Sequence, residues 1–326
     1  MMKKTNIILT PGPSLSNRKG GSSAQKLFPS LTIERGQGVS GIKRNVRLFV
    51  VLLFTLITGC EKDVNLNLPQ PTPQICVDGY VQPGYPAYLF LSHNFAFFGT
   101  TSANTVLTTD IIHGAHIAVN DGFTTDSMIE VIPSLGLYAT PHMTGVTGRT
   151  YNLTVKAQGQ TLTASTSILP AISLDSAWFK VQPGLDSLGY LWAILHDPPA
   201  PGNCYRWLVE RVGIDTTFIP PYESAFDDSF INGQSFEFFY GRGSLPGSKA
   251  KDDTDAEAGY FKKGETCVIE FCTISNTSYQ FFNEYYYQLN NVGNPFGSPA
   301  PVTGNITGGL GIWCGYGTSY DTVHCK

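Results

Sequence analysis

Tyr151, Leu153, Val155 and Ala157 alternate with Asn152, Thr154 and Lys156, the period of a strand with one buried face. Gln158-Gly159 then turns the chain into Thr161 to Ser167, so the stretch predicts a hairpin. Apolar β-type runs also cover Gln74 to Val81, Tyr88 to Ser92 and Ala115 to Asn120, with turn signals at Pro83-Gly84 and Asp121-Gly122. Together they predict an immunoglobulin-like antiparallel sandwich over residues 74–170. A second set follows: Asp175 to Val181, Tyr190 to Leu195, Cys204 to Val212, Ser235 to Tyr240 and Cys267 to Ile274. It predicts a larger C-terminal β domain over 171–326.

One segment has the helical period instead. Tyr279, Phe282, Tyr286 and Leu289 fall on one face of a helix over Ser278 to Asn290, with Thr277 and Gln280 spaced as a capping box and Gly293 and Pro295 as stops. Phe281, Tyr285 and Tyr287 spread round the rest, which suits a helix packed on a sheet or an aromatic platform for a sugar or peptide. Gly308-Gly309-Leu310-Gly311 leads into Ile312 to Tyr316. No helical pattern follows these glycines, so they soften a closing strand rather than form a dinucleotide fingerprint. Gly241 to Gly259, with Asp252, Asp253 and Asp255, reads as a surface loop and lacks the spacing of a calcium loop.

The strongest apolar run is Leu48 to Cys60, LFVVLLFTLITGC, introduced by Lys43, Arg44 and Arg47. A basic start, a short apolar stretch and small residues before a cut describe a secretory signal, and the run is too short to span a bilayer as a helix. Ile57-Thr58-Gly59-Cys60 resembles a bacterial lipobox, which implies cleavage between Gly59 and Cys60 and a lipid on the Cys60 thiol. The competing reading is a buried helix with an ordinary cysteine. Residues 1–42 show no apolar periodicity and suit a start assigned too early or a long leader. The expected division is therefore a leader and signal over 1–59, a lipidated tether over 60–73, and the two β domains. Pro69, Pro71 and Pro73 make that tether a stiff spacer.

Removing the leader changes the charge. It holds nine of the 21 Lys and Arg and one of the 25 Asp and Glu, so residues 60–326 carry 12 basic against 24 acidic side chains. That balance excludes nucleic acid as a partner and leaves the lipid on Cys60 as the expected membrane attachment. Beyond Cys60 the six cysteines are Cys76, Cys204, Cys267, Cys272, Cys314 and Cys325, an even number that export would allow to pair. At least one disulfide is expected among the last five, with Cys314 to Cys325 across a closing turn the candidate. Cys267 and Cys272 are an odd number apart on a predicted strand and point to opposite faces, which speaks against a shared zinc.

No nucleophile elbow, metalloprotease helix or phosphate loop occurs after residue 60. His113 and His116 form the closest histidine pair, and Asp227 and Asp228 are adjacent, a spacing that points side chains apart. No cofactor, metal or catalytic activity is expected.

EKDVNLNLPQPTPQICVDGYV after the cysteine, Leu174-Asp175-Ser176-Ala177-Trp178-Phe179, the segment Phe226 to Gly233, the helix followed by Gly293-Asn294-Pro295-Phe296, and the glycine-rich last strand are similar to one family. It is a set of Bacteroidota outer-membrane lipoproteins carrying domain of unknown function 4249. The resemblance implies an outer-membrane, lipid-anchored protein. Such proteins stand beside TonB-dependent transporters, which implies an accessory role in nutrient uptake. The alternative is a free-standing surface module for a glycan or protein, with a hydrolase behind both. Glu61 and Asp63 resemble an outer-leaflet export signal and equally suit a solvated linker, so the periplasmic and cell-surface faces both stay open.

Overall fold

The computed structural model describes residues 73–94, 110–243, 257–291 and 301–326. The leader, Gly59, Cys60, nearly all of the tether, residues 244–256 of the polar loop and the stops Gly293 and Pro295 lie outside the described residues. The described part is mainly β, as expected: strands β1 to β17 in chain order and one α-helix, α1.

The first sheet runs β16 (Leu310–Gly315), β1 (Ile75–Val81), β2 (Pro86–His93), β6 (Leu137–Thr144), β5 (Ile129–Ile132). The second runs β4 (Thr125–Ser127), β3 (His116–Asn120), β7 (Thr150–Ala157), β8 (Gln160–Ser167). Ile75, Val77, Leu89 and Leu91 of the first share one core with Val119, Leu153, Val155 and Leu162 of the second. Each such aliphatic side chain contributes about 2 kcal/mol on full burial. In β7 every residue from Tyr151 to Ala157 follows the predicted alternation.

A second sandwich follows. β10 (Leu188–His196) has β9 (Ser176–Val181) on one edge and β13 (Ser235–Tyr240) and β14 (Phe261–Lys262) along the other. Facing it are β12 (Ala225–Asp227), β11 (Cys204–Arg211), β15 (Thr266–Ile274) and β17 (Gly317–His324). Leu191, Leu195 and Phe238 meet Trp207, Ile269 and Phe271 between these sheets. Cys204, Leu208 and Cys272 share a third core with Ile312, Cys314, Phe282 and Tyr286.

The division at residue 170 separates these sheets except at β16. That strand pairs in parallel with β1, from Cys76↔Leu310 to Val81↔Gly315, and sends Trp313 into the first core. The indole Nε1 of Trp313 donates to the Tyr151 carbonyl at 3.0 Å. Glycine makes the approach possible. A Cβ on Gly79 would meet the Trp313 ring at 2.7 Å, and one on Gly311, whose φ is +103°, would lie 1.9 Å from the Val77 carbonyl oxygen. All the described residues accordingly fall within one compact unit.

The helix α1 (Asn276–Asn291) starts two residues before the sequence pattern. Ser275, not Thr277, caps it: its Oγ accepts from the Ser278 backbone N–H at 3.2 Å. Ser278, Phe282 and Tyr286 form the buried stripe at four-residue spacing, while Leu289 stays 41% exposed. Buried Arg206 fixes the helix by placing its guanidinium 3.5 Å from the Phe282 ring centroid and donating to the Tyr316 hydroxyl.

Candidate functional site

Where the edge strand β13 and the short β12 diverge from α1, they leave a cleft of about 460 Å³. Its floor is Phe226, Phe236 and Phe238; Tyr279, Asn283, Tyr286 and Tyr287 come from one side of the helix. Tyr222, Glu223 and Phe230 complete the rim. The rings meet mostly at steep angles, with Tyr222 and Tyr286 6.0 Å apart at 68° and Phe226 and Phe236 5.9 Å apart at 83°. Phe230 is 77% exposed and Tyr287 64%, so large apolar surface stands at the mouth.

Hydrogen bonds hold the walls, most of them between residues distant in sequence. Asp228 is buried, and its Oδ2 accepts from the backbone N–H groups of Gly202 and Asn203 at 2.8 and 2.9 Å. Buried Asp197 accepts from the Tyr205 hydroxyl and from the Gly233 N–H. These two carboxylates pin both ends of the turn that carries Phe230 outward. Asp227 takes the opposite direction: it accepts from Ser229 Oγ at 2.9 Å and lines the cleft. The adjacent pair thus points apart as the spacing predicted.

On the far wall, the Tyr240 hydroxyl donates to the Glu223 carbonyl at 3.1 Å, and the Tyr286 and Ser224 hydroxyls lie 3.1 Å apart. Glu223 has φ +53°, a strained conformation for a residue with a side chain. Burial raises the phenols of Tyr240 and Tyr279, and a neighbouring carboxylate adds to each, Glu223 to the first and Asp227 to the second. Both phenols remain neutral hydroxyls at physiological pH. The described lining contains no Lys, Arg or His.

The helix aromatics and the segment from Phe226 were separate features of the sequence; the fold brings them together. The sequence points to the helix aromatics and the loop from Phe226 to Gly259 as recognition surfaces, which includes the phenylalanines of β13; Tyr222 and Glu223 lie outside both. Nothing local in the sequence marks Tyr222 or Glu223 as part of the site. A second aromatic group crosses the outer face of β10, where Trp178, Trp192, Phe239, Tyr190 and Tyr260 stack at 14 to 28°. Those rings spend their faces on one another and stabilise the sheet instead of forming a flat platform.

The described cysteines are free thiols, including Cys204, Cys267, Cys272, Cys314 and Cys325. Cys267 and Cys272 do point to opposite faces of β15, into the second and third cores. The expected pairing of Cys314 with Cys325 is overturned. The chain between them is not a closing turn but β17, whose eight residues span roughly 27 Å, against the 4.4 to 6.8 Å between Cα atoms that a disulfide requires. Cys325 instead lies beside Cys267, with the sulfurs 3.9 Å apart. The histidines are dispersed: His113 contacts Glu130, His142 contacts Asp126 and His196 contacts Ser235.

Fold and cleft together define a class: a mainly β protein of two packed sandwiches, with an aromatic recess where the helix meets the second. The model of a family described as a domain of unknown function, DUF4249, matches residues 61–321, so the chain belongs to that family. No curated protein matches it.

Proposed function

We propose that the chain is a lipid-anchored binding protein of the outer membrane that holds a small ligand in the aromatic cleft and serves a TonB-dependent transporter in uptake. The cleft carries this reading: it has the volume of small-molecule sites, apolar walls and a few fixed polar groups. The described lining offers tyrosine hydroxyls, carboxylates and an amide, and no nucleophile paired with a base. Support for the anchor comes from the LFVVLLFTLITGC run and from a family match that begins one residue past Cys60. The projecting Phe230 and Tyr287 favour one other reading, a free-standing surface module for a glycan or protein.

The test is affinity purification of the lipidated protein from gently solubilised outer membranes. A stoichiometric TonB-dependent barrel is the expected companion. Recovery alone, with saturable binding on a glycan array, transfers the conclusion to the surface module. In parallel, Cys60→Ala is expected to abolish lipid labelling and release the chain from the membrane fraction; a lipid-labelled variant refutes the anchor.

A further inference from the structure

We propose that the cleft selects an organic cation, an ammonium group joined to a compact apolar body. This rests on the reading of the cleft as a ligand site and adds the charge and class of its occupant. Three features of the lining point the same way. Tyr222 and Tyr286 form a corner at 68°, and ring faces carry the negative part of the aromatic quadrupole, so a cation in such a corner is attracted to more than one ring. Both charged groups of the lining, Glu223 and Asp227, are carboxylates. The described lining has no basic side chain to neutralise them, and Arg206 lies behind the helix wall, stacked on Phe282.

Asp227 has room for a ligand. Ser229 uses one interaction with each of its oxygens, at 3.3 Å to the N–H and 2.9 Å to the Oγ, and the Tyr279 hydroxyl a third, which leaves part of the roughly four lone-pair positions on a carboxylate open. Glu223 is set at the rim by a left-handed backbone whose carbonyl is pinned by Tyr240, and residues kept in such conformations cluster at ligand sites. An anion entering this recess meets two like charges and the negative faces of the rings. A neutral sugar gains stacking from the rings and donates hydroxyl hydrogen bonds to the carboxylates. A cation gains directly from the charge of both, and partial exclusion of water strengthens that attraction.

The measurement is calorimetric titration of the full chain with benzyltrimethylammonium, its uncharged carbon isostere neopentylbenzene, 3-phenylpropionate and maltotriose. The cation is expected to bind about tenfold more tightly than the isostere, in line with cation–π attraction in partly desolvated sites, and the anion not to bind. The paired change Asp227→Asn with Glu223→Gln keeps shape and hydrogen bonding while removing charge. It is expected to erase most of that preference and to flatten the dependence on salt, with an unchanged melting temperature as the folding control. Equal binding of cation and isostere overturns the proposal, as does cation binding indifferent to the paired change. Maltotriose binding without cation binding overturns the charge assignment while leaving the cleft as a ligand site. Silence from all four probes overturns the proposal as well, and co-purification with a transporter then judges the accessory role separately.

Discussion

Glu270 sits in the middle of β15, 3% exposed, with the Tyr320 hydroxyl donating to its Oε1 at 3.0 Å. Burial pushes its carboxyl from 4.5 up to about 7, against the smaller downward pulls of Tyr320 and Arg206. A carboxyl with a raised folded pKa favours the native state while protonated. Its contribution is therefore complete below about pH 4.5 and is lost as the pH rises through 7. Wild-type protein is expected to lose up to about 3 kcal/mol between pH 5 and pH 8 from this group, while Glu270→Gln stays level. Urea midpoints at the two pH values check this, and parallel declines in both proteins reject it. Sequence offered no hint, because one acidic residue in an apolar strand normally marks the solvent side. Burial of that side is decided by the distant β16 and α1. Asp121-Gly122 was legible for the opposite reason: Asp121 Oδ1 accepts from the N–H groups of Phe123 and Thr124, two and three residues on, so the turn is encoded where it forms.

Among the elements, β15 and the residues after β17 bring Cys267 and Cys325 within reach of each other. Both thiols are buried, at 0% and 2% exposure, so oxidation must proceed during folding or transient opening. Refolding with oxidised glutathione is expected to join Cys267 to Cys325, two thiols giving up their hydrogens to the exchanging disulfide. Closing a loop of this length contributes about 4 kcal/mol. Peptide mapping after alkylation decides the matter: both cysteines alkylated, or a different pair joined, removes the prediction. Strand existence was readable wherever a hydrophobic face alternates cleanly, as in β7. It was not readable in β17, an edge strand with two buried residues among eight, or in β4 and β5, which bury none. The helix was evident from its stripe, yet its cap was not, because Ser275 and Thr277 are both competent N-cap residues.

For the whole molecule, β16 is the strand on which two cores depend. Trp313 fills the first, and Ile312 and Cys314 reach the third. Gly311→Ala places a Cβ against the Val77 carbonyl in a backbone conformation that disfavours it, and is expected to cost about 2 to 4 kcal/mol. Gly84→Ala at φ +81° meets no atom within 4 Å and carries only the backbone penalty of about 1 kcal/mol. Chemical denaturation followed by probes in each sandwich should show one shared loss for Gly311→Ala; a loss confined to one probe refutes the coupling. Neither this pairing nor the cleft could be read in advance, since each joins segments whose sequence signals are complete and local. The parallel ladder also orders events in time. Until β16 arrives from more than two hundred residues further along the chain, the first sheet has a bare β1 edge and a vacant socket for the Trp313 indole. Because contacts this distant in sequence form slowly, closing the first core is expected to be a late step that waits on β16.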